Sequence, residues 1–322
     1  MSRDNSFFQP ISGAVAPRFT GIATFMRLPM VPLAEASDVH IGLTGIPLDI
    51  ATTNRPGARH GPRALRDAST LIRGYNPSTQ VAPFELCNCA DLGDVPINPA
   101  DLQDSLQRIT GFYQTLHDRG IAPLTAGGDH LVTLPIMRVI AGERPLGMIQ
   151  FDAHVDTIDS YFGGSKYTHG TPFRRAIEEG LLDPQRTVQI GIRGSGYRDA
   201  DDDWGARQGI RVITMDECET RGIGDVMAEA RGIVGDGPVY VSFDIDCLDP
   251  AYAPGTGTPE IGGFTTREAQ KMVRALKGLS VVGADVVEVS PPFDNAQVTA
   301  IAGANMLFEL LCIMAEGSTA KA

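Results

Sequence analysis

Pro145-Leu146-Gly147-Met148-Ile149-Gln150-Phe151-Asp152-Ala153-His154-Val155-Asp156 is a short, largely apolar run that turns abruptly into carboxylates and an imidazole. Its apolar half is too brief for a buried helix and reads as a strand inside a sheet. In extended chain alternate side chains point the same way, so Asp152, His154 and Asp156 converge where the strand runs out.

Similar apolar runs recur at 39–47, 84–91, 121–126, 187–193, 210–215, 238–244 and 280–289, which with 145–151 makes eight expected strands. Helical periodicity occupies 101–118, 171–182, 216–234 and 265–276, and a last helix is expected at 303–315. Strand and helix in alternation imply α/β architecture: a parallel sheet with helices on both faces. No self-similar period of about 20–50 residues and no low-complexity linker divides the chain, so residues 1–322 are read as one domain. The Pro- and Gly-rich stretches 54–62 and 253–263 read as loops at the sheet edge.

Composition narrows the function. The chain is 43% hydrophobic and 20% charged, with 27 basic against 39 acidic residues and a net charge of −12. Such a surface repels nucleic acid and anionic lipid and favours cationic small molecules. No unbroken apolar stretch of about 18 residues suggests a membrane span, and residues 1–10 lack the apolar core of a secretory signal, so a cytoplasmic enzyme is expected. Five cysteines without CxxC spacing fit a reduced compartment, with Cys87 and Cys89 expected as small buried residues on one face of a strand.

Parallel sheets place their chemistry beyond the carboxyl ends of the strands. There the third run continues through Ala126-Gly127-Gly128-Asp129-His130 and the seventh through Ser242-Phe243-Asp244-Ile245-Asp246. Taken singly, a strand-end DxD is often a turn device and a buried His a satisfied core residue. Together, His130, Asp152, His154, Asp156, Asp244 and Asp246 would repel one another unless cations sat among them. Mixed nitrogen and oxygen ligation suits two divalent ions of borderline hardness, such as Mn²⁺, better than a thiolate-rich structural Zn²⁺. The Gly-rich loop 255–263 lacks the GK[ST] ending of a phosphate cradle, and its Glu260 would repel phosphate.

The segments 127–130, 152–156 and Ser242-Phe243-Asp244-Ile245-Asp246-Cys247-Leu248-Asp249-Pro250 resemble the metal-binding signatures of the ureohydrolases, the arginase and agmatinase family. The resemblance extends to 55–63, 168–176 and 254–260, and within the family it is strongest to the bacterial guanidinopropionase and guanidinobutyrase branch. It implies an eight-stranded parallel sheet in a three-layer α/β/α sandwich. It also implies one metal on His130, Asp152, Asp156 and Asp244, and a second on His154, Asp152, Asp244 and Asp246. Two Mn²⁺ are implied, with Ni²⁺ as the alternative. A homohexamer is expected, or a mixed oligomer with a related subunit, with residues 1–35 as an arm in subunit contacts.

The implied reaction splits a guanidino compound into urea and an amine. Asp156 would orient the attacking hydroxide and take its proton, His169 in Thr168-His169-Gly170 would shuttle a proton to the departing amine, and Glu288 would grip the guanidinium through two points. Tyr161, beside Phe162, matches a contact to the substrate tail. Ile158 and Ile50-Ala51 stand where polar or small residues are common, which implies a more apolar mouth. A guanidino acid with a three- or four-carbon tail is the leading substrate. N-alkylguanidines, biguanides, agmatine, a formimino group and a non-catalytic partner role remain open. His40, His60 and His117 read as structural or solvated, with the His60 loop near the entrance.

Overall fold

The computed structural model describes residues 5–142, 144–196 and 203–319. Its strands are β1 (Ile41–Gly45), β2 (Cys89–Asp94), β3 (Ala122–Ala126), β4 (Leu146–Phe151), β5 (Leu182–Ile192), β6 (Arg211–Thr214), β7 (Val239–Asp244) and β8 (Val281–Val287). They form one eight-stranded sheet in the order β2-β1-β3-β8-β7-β4-β5-β6. Every neighbouring pair is parallel.

Because side chains alternate across a strand, the sheet carries two cores. On one face Ile149, Phe151, Val241 and Phe243 pack with Leu65, Val226, Met272 and Leu307 from the helices Gly61–Ser69, Ile223–Val234, Thr266–Arg274 and Val298–Thr319. On the other, Met148 and Tyr240 pack with Ile109, Tyr113, Leu134 and Phe173 from Leu102–Asp118, Thr133–Ile140 and Pro172–Glu178. The result is the parallel sheet with helices on both faces expected from the alternation of runs, and the three-layer sandwich that the resemblance implies.

Several boundaries differ from the sequence reading. Only the end of the 84–91 run is strand: Pro83 opens a helical turn, Pro83–Leu86, and β2 starts at Cys89. The expected helix 216–234 is two, Met215–Arg221 and Ile223–Val234, separated at Gly222, whose φ of 83° and ψ of 153° no helix accommodates. The last helix is longer than expected and runs Val298–Thr319. By length and hydropathy it could cross a bilayer, but 83% of its apolar window is buried in the protein. An element apolar all round is a core helix here, covered by the Gly61–Ser69 and Thr266–Arg274 helices and β8. All five cysteines are free and buried, and the Cys87 and Cys89 sulfurs lie 3.7 Å apart.

One polar row crosses this apolar interior. Thr44, Thr125, Asp285, Ser242, Gln150 and Gln189 are in register on β1, β3, β8, β7, β4 and β5, and all are fully buried. Buried polar groups are costly unless bonded, and this row lies just before the strand ends that carry the acidic cluster.

Candidate metal centre

The four central strands, β3, β8, β7 and β4, deliver the whole cluster. After β3 the chain reaches His130 through Gly127-Gly128, where a Cβ on Gly128 would stand 1.7 Å from the Leu48 carbonyl oxygen. Only glycine permits that approach. Asp129 then caps the turn His130–Val132 by accepting from the Leu131 amide at 3.1 Å. Asp244 does the same for the turn Ile245–Cys247, accepting from the Asp246 amide at 2.8 Å. Asp156 and Glu288 adopt left-handed φ of 51° and 61°. Non-glycine residues take up that backbone at a cost of about 1 kcal/mol or more each, and such positions cluster at functional sites.

The His130 Nδ1 stands 3.1 Å from Asp152 Oδ2, 2.9 Å from Asp156 Oδ2 and 3.2 Å from Asp244 Oδ2. It is buried and yet makes no hydrogen bond. Beside it, His154 Nδ1 is 3.1 Å from Asp246 Oδ2 and 3.5 Å from Asp152 Oδ1. Asp152 thus faces both imidazoles, one through each oxygen. The donor atoms of His130, Asp152 and Asp244 lie within 4.8 Å of one another, as do those of Asp152, His154 and Asp246. A buried ring nitrogen facing three carboxylate oxygens calls for a positive charge between them, a metal ion or, without one, the ring's own proton.

The electrostatics show the same need. Burial, and then the charges of Asp246 and Asp152, push the Asp244 carboxyl well above its ordinary range. Burial and the charge of Asp152 raise Asp156 to about 6, and burial raises Asp246 as well. Burial would also raise Asp152, but His130 and His154 outweigh it and hold that carboxyl well below the usual range. Both imidazoles, which burial alone would make less basic, are raised by the surrounding carboxylates. Protons balance this cluster wherever cations do not, so metal binding must expel them.

Glu288 and His169 form a second pair alongside. Glu288 Oε1 accepts from the His130 backbone amide at 2.8 Å and lies 2.9 Å from His169 Nδ1. Its Oε2 is buried without a partner. One Glu288 oxygen is thus engaged twice, while the other is buried and free. The other His169 nitrogen, Nε2, lies 2.7 Å from the Thr53 hydroxyl and 3.1 Å from the Thr53 amide nitrogen. Burial alone would lower His169, but the carboxylates of Glu288, Asp156 and Asp129 raise it to about 9.

A cavity of about 410 Å³ opens over the cluster, with His154, Asp156, Asp244 and Asp246 on its floor and Thr53, Ile158, Tyr161 and His169 on its walls. Ile158 therefore lines the space as expected, whereas Ile50 and Ala51 do not. Ala51 lies behind it, donating its amide to Asp129 and accepting from the His169 amide at 3.0 Å. His60 is exposed and away from the lining.

Sequence reading missed the supports. Arg193, at the end of β5, donates to the carbonyls of Gly191, Asp246, Cys247, Leu248, Glu260 and Ile261. It ties the Asp246 turn to the Gly-rich loop, and a lone strand-end Arg gave no signal of this. Gln150 Nε2 holds Asp152 Oδ2 at 2.6 Å, and Gln189 holds Gln150 at 2.7 Å. A glutamine inside each of two apolar runs was the available clue.

A parallel α/β/α sandwich with two adjoining His/Asp ligand sets at its central strand ends has the architecture of a binuclear metal hydrolase. The arginase family model matches residues 39–312, and the chain belongs to that family. It is 59% identical to the guanidinopropionase of Pseudomonas aeruginosa, over all of both chains. It is 50% identical to the guanidinobutyrase of the same organism, over 97% of this chain and 98% of that one. Among solved structures, the proclavaminate amidino hydrolase of Streptomyces clavuligerus superposes with a TM-score of 0.89 at 41% identity, covering 94% of this chain and all of that chain.

Proposed function

We propose that this chain is an amidinohydrolase that cleaves a guanidino acid, such as 3-guanidinopropionate or 4-guanidinobutyrate, into urea and an amino acid. The observation that carries the reading is the shared position of Asp152 between two ligand groups, beneath a cavity that also contains His169. The guanidinopropionase and guanidinobutyrase relatives favour a guanidino acid over N-alkylguanidines, biguanides or agmatine.

His130, Asp152, Asp156 and Asp244 would hold one divalent ion, and His154, Asp152, Asp244 and Asp246 the other. When bound, such ions supply the Lewis-acid charge that makes water acidic enough to attack a guanidinium near neutral pH. The protein side chains do the rest. Glu288 presents the free Oε2 to one guanidinium N–H, fixing the carbon over the cluster. Asp156 accepts the proton of the attacking water. His169, held between Glu288 and Thr53, returns a proton to the departing amine. Tyr161 and Ile158 line the wall that meets the substrate tail and shield the reacting centre from bulk water.

Mn²⁺ suits this mixed nitrogen and oxygen donor set, with Ni²⁺ as the competing ion. The reading further takes residues 1–322 as one domain acting in the cytoplasm and assembling as a homohexamer or with a related subunit. The arm 1–35 bears Val15, Phe19 and Ile22, each more than four-fifths exposed, which suits it to contacts between subunits. The test is urea release by purified protein loaded with Mn²⁺ or Ni²⁺, using a panel of guanidino acids, agmatine, arginine and alkylated guanidines. Turnover of a guanidino acid above the others is expected; no urea from any substrate with either metal refutes the reading.

A further inference from the structure

We propose that Asp285, acting through Ser242, is a positioning residue that fixes the tautomer of His130 and so keeps one half of the metal pair open to a cation. The inference rests on His130 being a ligand, as proposed above.

It follows from counting protons in a closed space. Asp285 Oδ1 accepts from Ser242 Oγ at 2.7 Å, while Oδ2 accepts from Tyr240 OH at 2.8 Å and Thr133 Oγ1 at 2.7 Å. All four residues are fully buried. An ionised carboxylate only accepts, and three hydroxyls give their protons to this one. Ser242 has a single proton, and Asp285 receives it. Its oxygen, 2.8 Å from His130 Nε2, must therefore accept, which puts the imidazole hydrogen on Nε2. Once the cluster gives up its extra proton the imidazole keeps only this one, so the hydrogen released is that of Nδ1, the atom facing Asp152, Asp156 and Asp244. Ser242 and Asp285 are register partners on β7 and β8, so the relay is built into the sheet. His154 has a side chain about one-third exposed, and its Nε2 makes no hydrogen bond to a described residue.

The chain of bonds has a direction, and a nearly isosteric change reverses it. In Asp285→Asn the amide oxygen stays with the two converging hydroxyls of Tyr240 and Thr133, and the NH₂ turns to Ser242. Ser242 then accepts from Asn, and its freed proton can turn to His130 Nε2, which favours the tautomer with the imidazole proton on Nδ1, where it competes with the cation. Ser242→Ala merely cuts the relay and leaves Nε2–H without an acceptor.

Calorimetric titration of metal-free protein with Mn²⁺, with metal analysis and thermal unfolding alongside, tests this. Wild type should bind two ions per chain. Ser242→Ala should weaken one of the two sites roughly 10–100-fold while sparing the other, and Asp285→Asn should weaken the same site further. The double variant should return to the level of Ser242→Ala, since a reversed signal cannot pass a missing hydroxyl; Ser242→Thr should bind like wild type. Wild-type affinity in Asp285→Asn, or additive losses in the double variant, would overturn the relay, because additivity is what mere loss of packing gives. If Asp285→Asn does not fold, Ser242→Ala against Ser242→Thr decides, with equal losses in both counting against the relay. A wild type that binds no manganese removes the functional reading first, and a single-site loss confined to the variants separates the two failures.

Discussion

Replacing Glu288 by Gln is a sharp test of the proposed substrate site, because one oxygen of this side chain is bonded within the protein and the other is free. Oε1 accepts from the His130 amide at 2.8 Å and from His169, and the side chain is 2% exposed. The Gln oxygen must therefore take the Oε1 position, leaving the NH₂ where Oε2 stood. A donor then faces the guanidinium donors, and the charge that paired with them is gone. Removing one partner of a buried, hydrogen-bonded charge pair costs about 2–5 kcal/mol, so kcat/KM should fall by roughly thirtyfold or more. The two contacts through Oε1 survive, so metal content should stay at the wild-type value. Steady-state urea release with parallel metal analysis reads both quantities. A Glu288→Gln enzyme with full metal and kcat/KM within about fivefold of wild type would mean that Oε2 does not meet the substrate.

Asp246→Ala should leave one metal per chain instead of two and remove most activity, as measured by plasma mass spectrometry and urea release; an active variant with both metals would refute its place in the ligand set. Arg193→Ala should lower the urea-unfolding free energy by about 2–3 kcal/mol, since several bonds from a charged donor are lost, and should raise KM as the Asp246 turn and the Gly-rich loop separate. Arg193→Lys should recover only part of either effect, because a single ammonium cannot reach so many carbonyls. In metal-free protein His169, raised to about 9 in the fold, contributes stability that is complete below its unfolded value of about 6.5 and is lost as pH rises through 9. The difference in unfolding free energy between wild type and His169→Gln should therefore shrink by on the order of 3 kcal/mol between pH 6 and pH 10; a pH-independent difference would show that His169 does not carry that charge.

The parts of this protein that depend on neighbours in sequence were readable from it. Eight apolar runs mark the strands, and the carboxylates and imidazole of 152–156 and 244–246 do lie together, though by turns rather than by extended alternation: β4 ends at Phe151, Asp156 is left-handed and Asp246 sits in the turn Ile245–Cys247. What stayed hidden depends on which strand lies beside which. Ser242 and Asp285 are 43 residues apart and become partners only because β8 lies between β3 and β7. Thr53 reaches His169 across 116 residues through a loop with no periodicity to read. The final helix was shortened because it is apolar on every side, and its start at Val298 leaves no contrast of faces to mark. The turn Pro83–Leu86 is invisible in the 84–91 run for a related reason: four residues are too few to show any period.

The order of strands also sets when the centre can exist. β1 to β3 and β4 to β6 emerge from the ribosome first, as two groups that the finished sheet does not join directly; β7 and β8, translated later, fill the gap between them. Until both have slotted in, His130 and Asp152 belong to separate half-sheets and share no cation. The complete ligand cluster therefore cannot form on a nascent chain until β8, Val281–Val287, has emerged. Closing the middle of a sheet last is also a slow route with long loops to draw in, which leaves two raw inner edges exposed to other chains in the meantime.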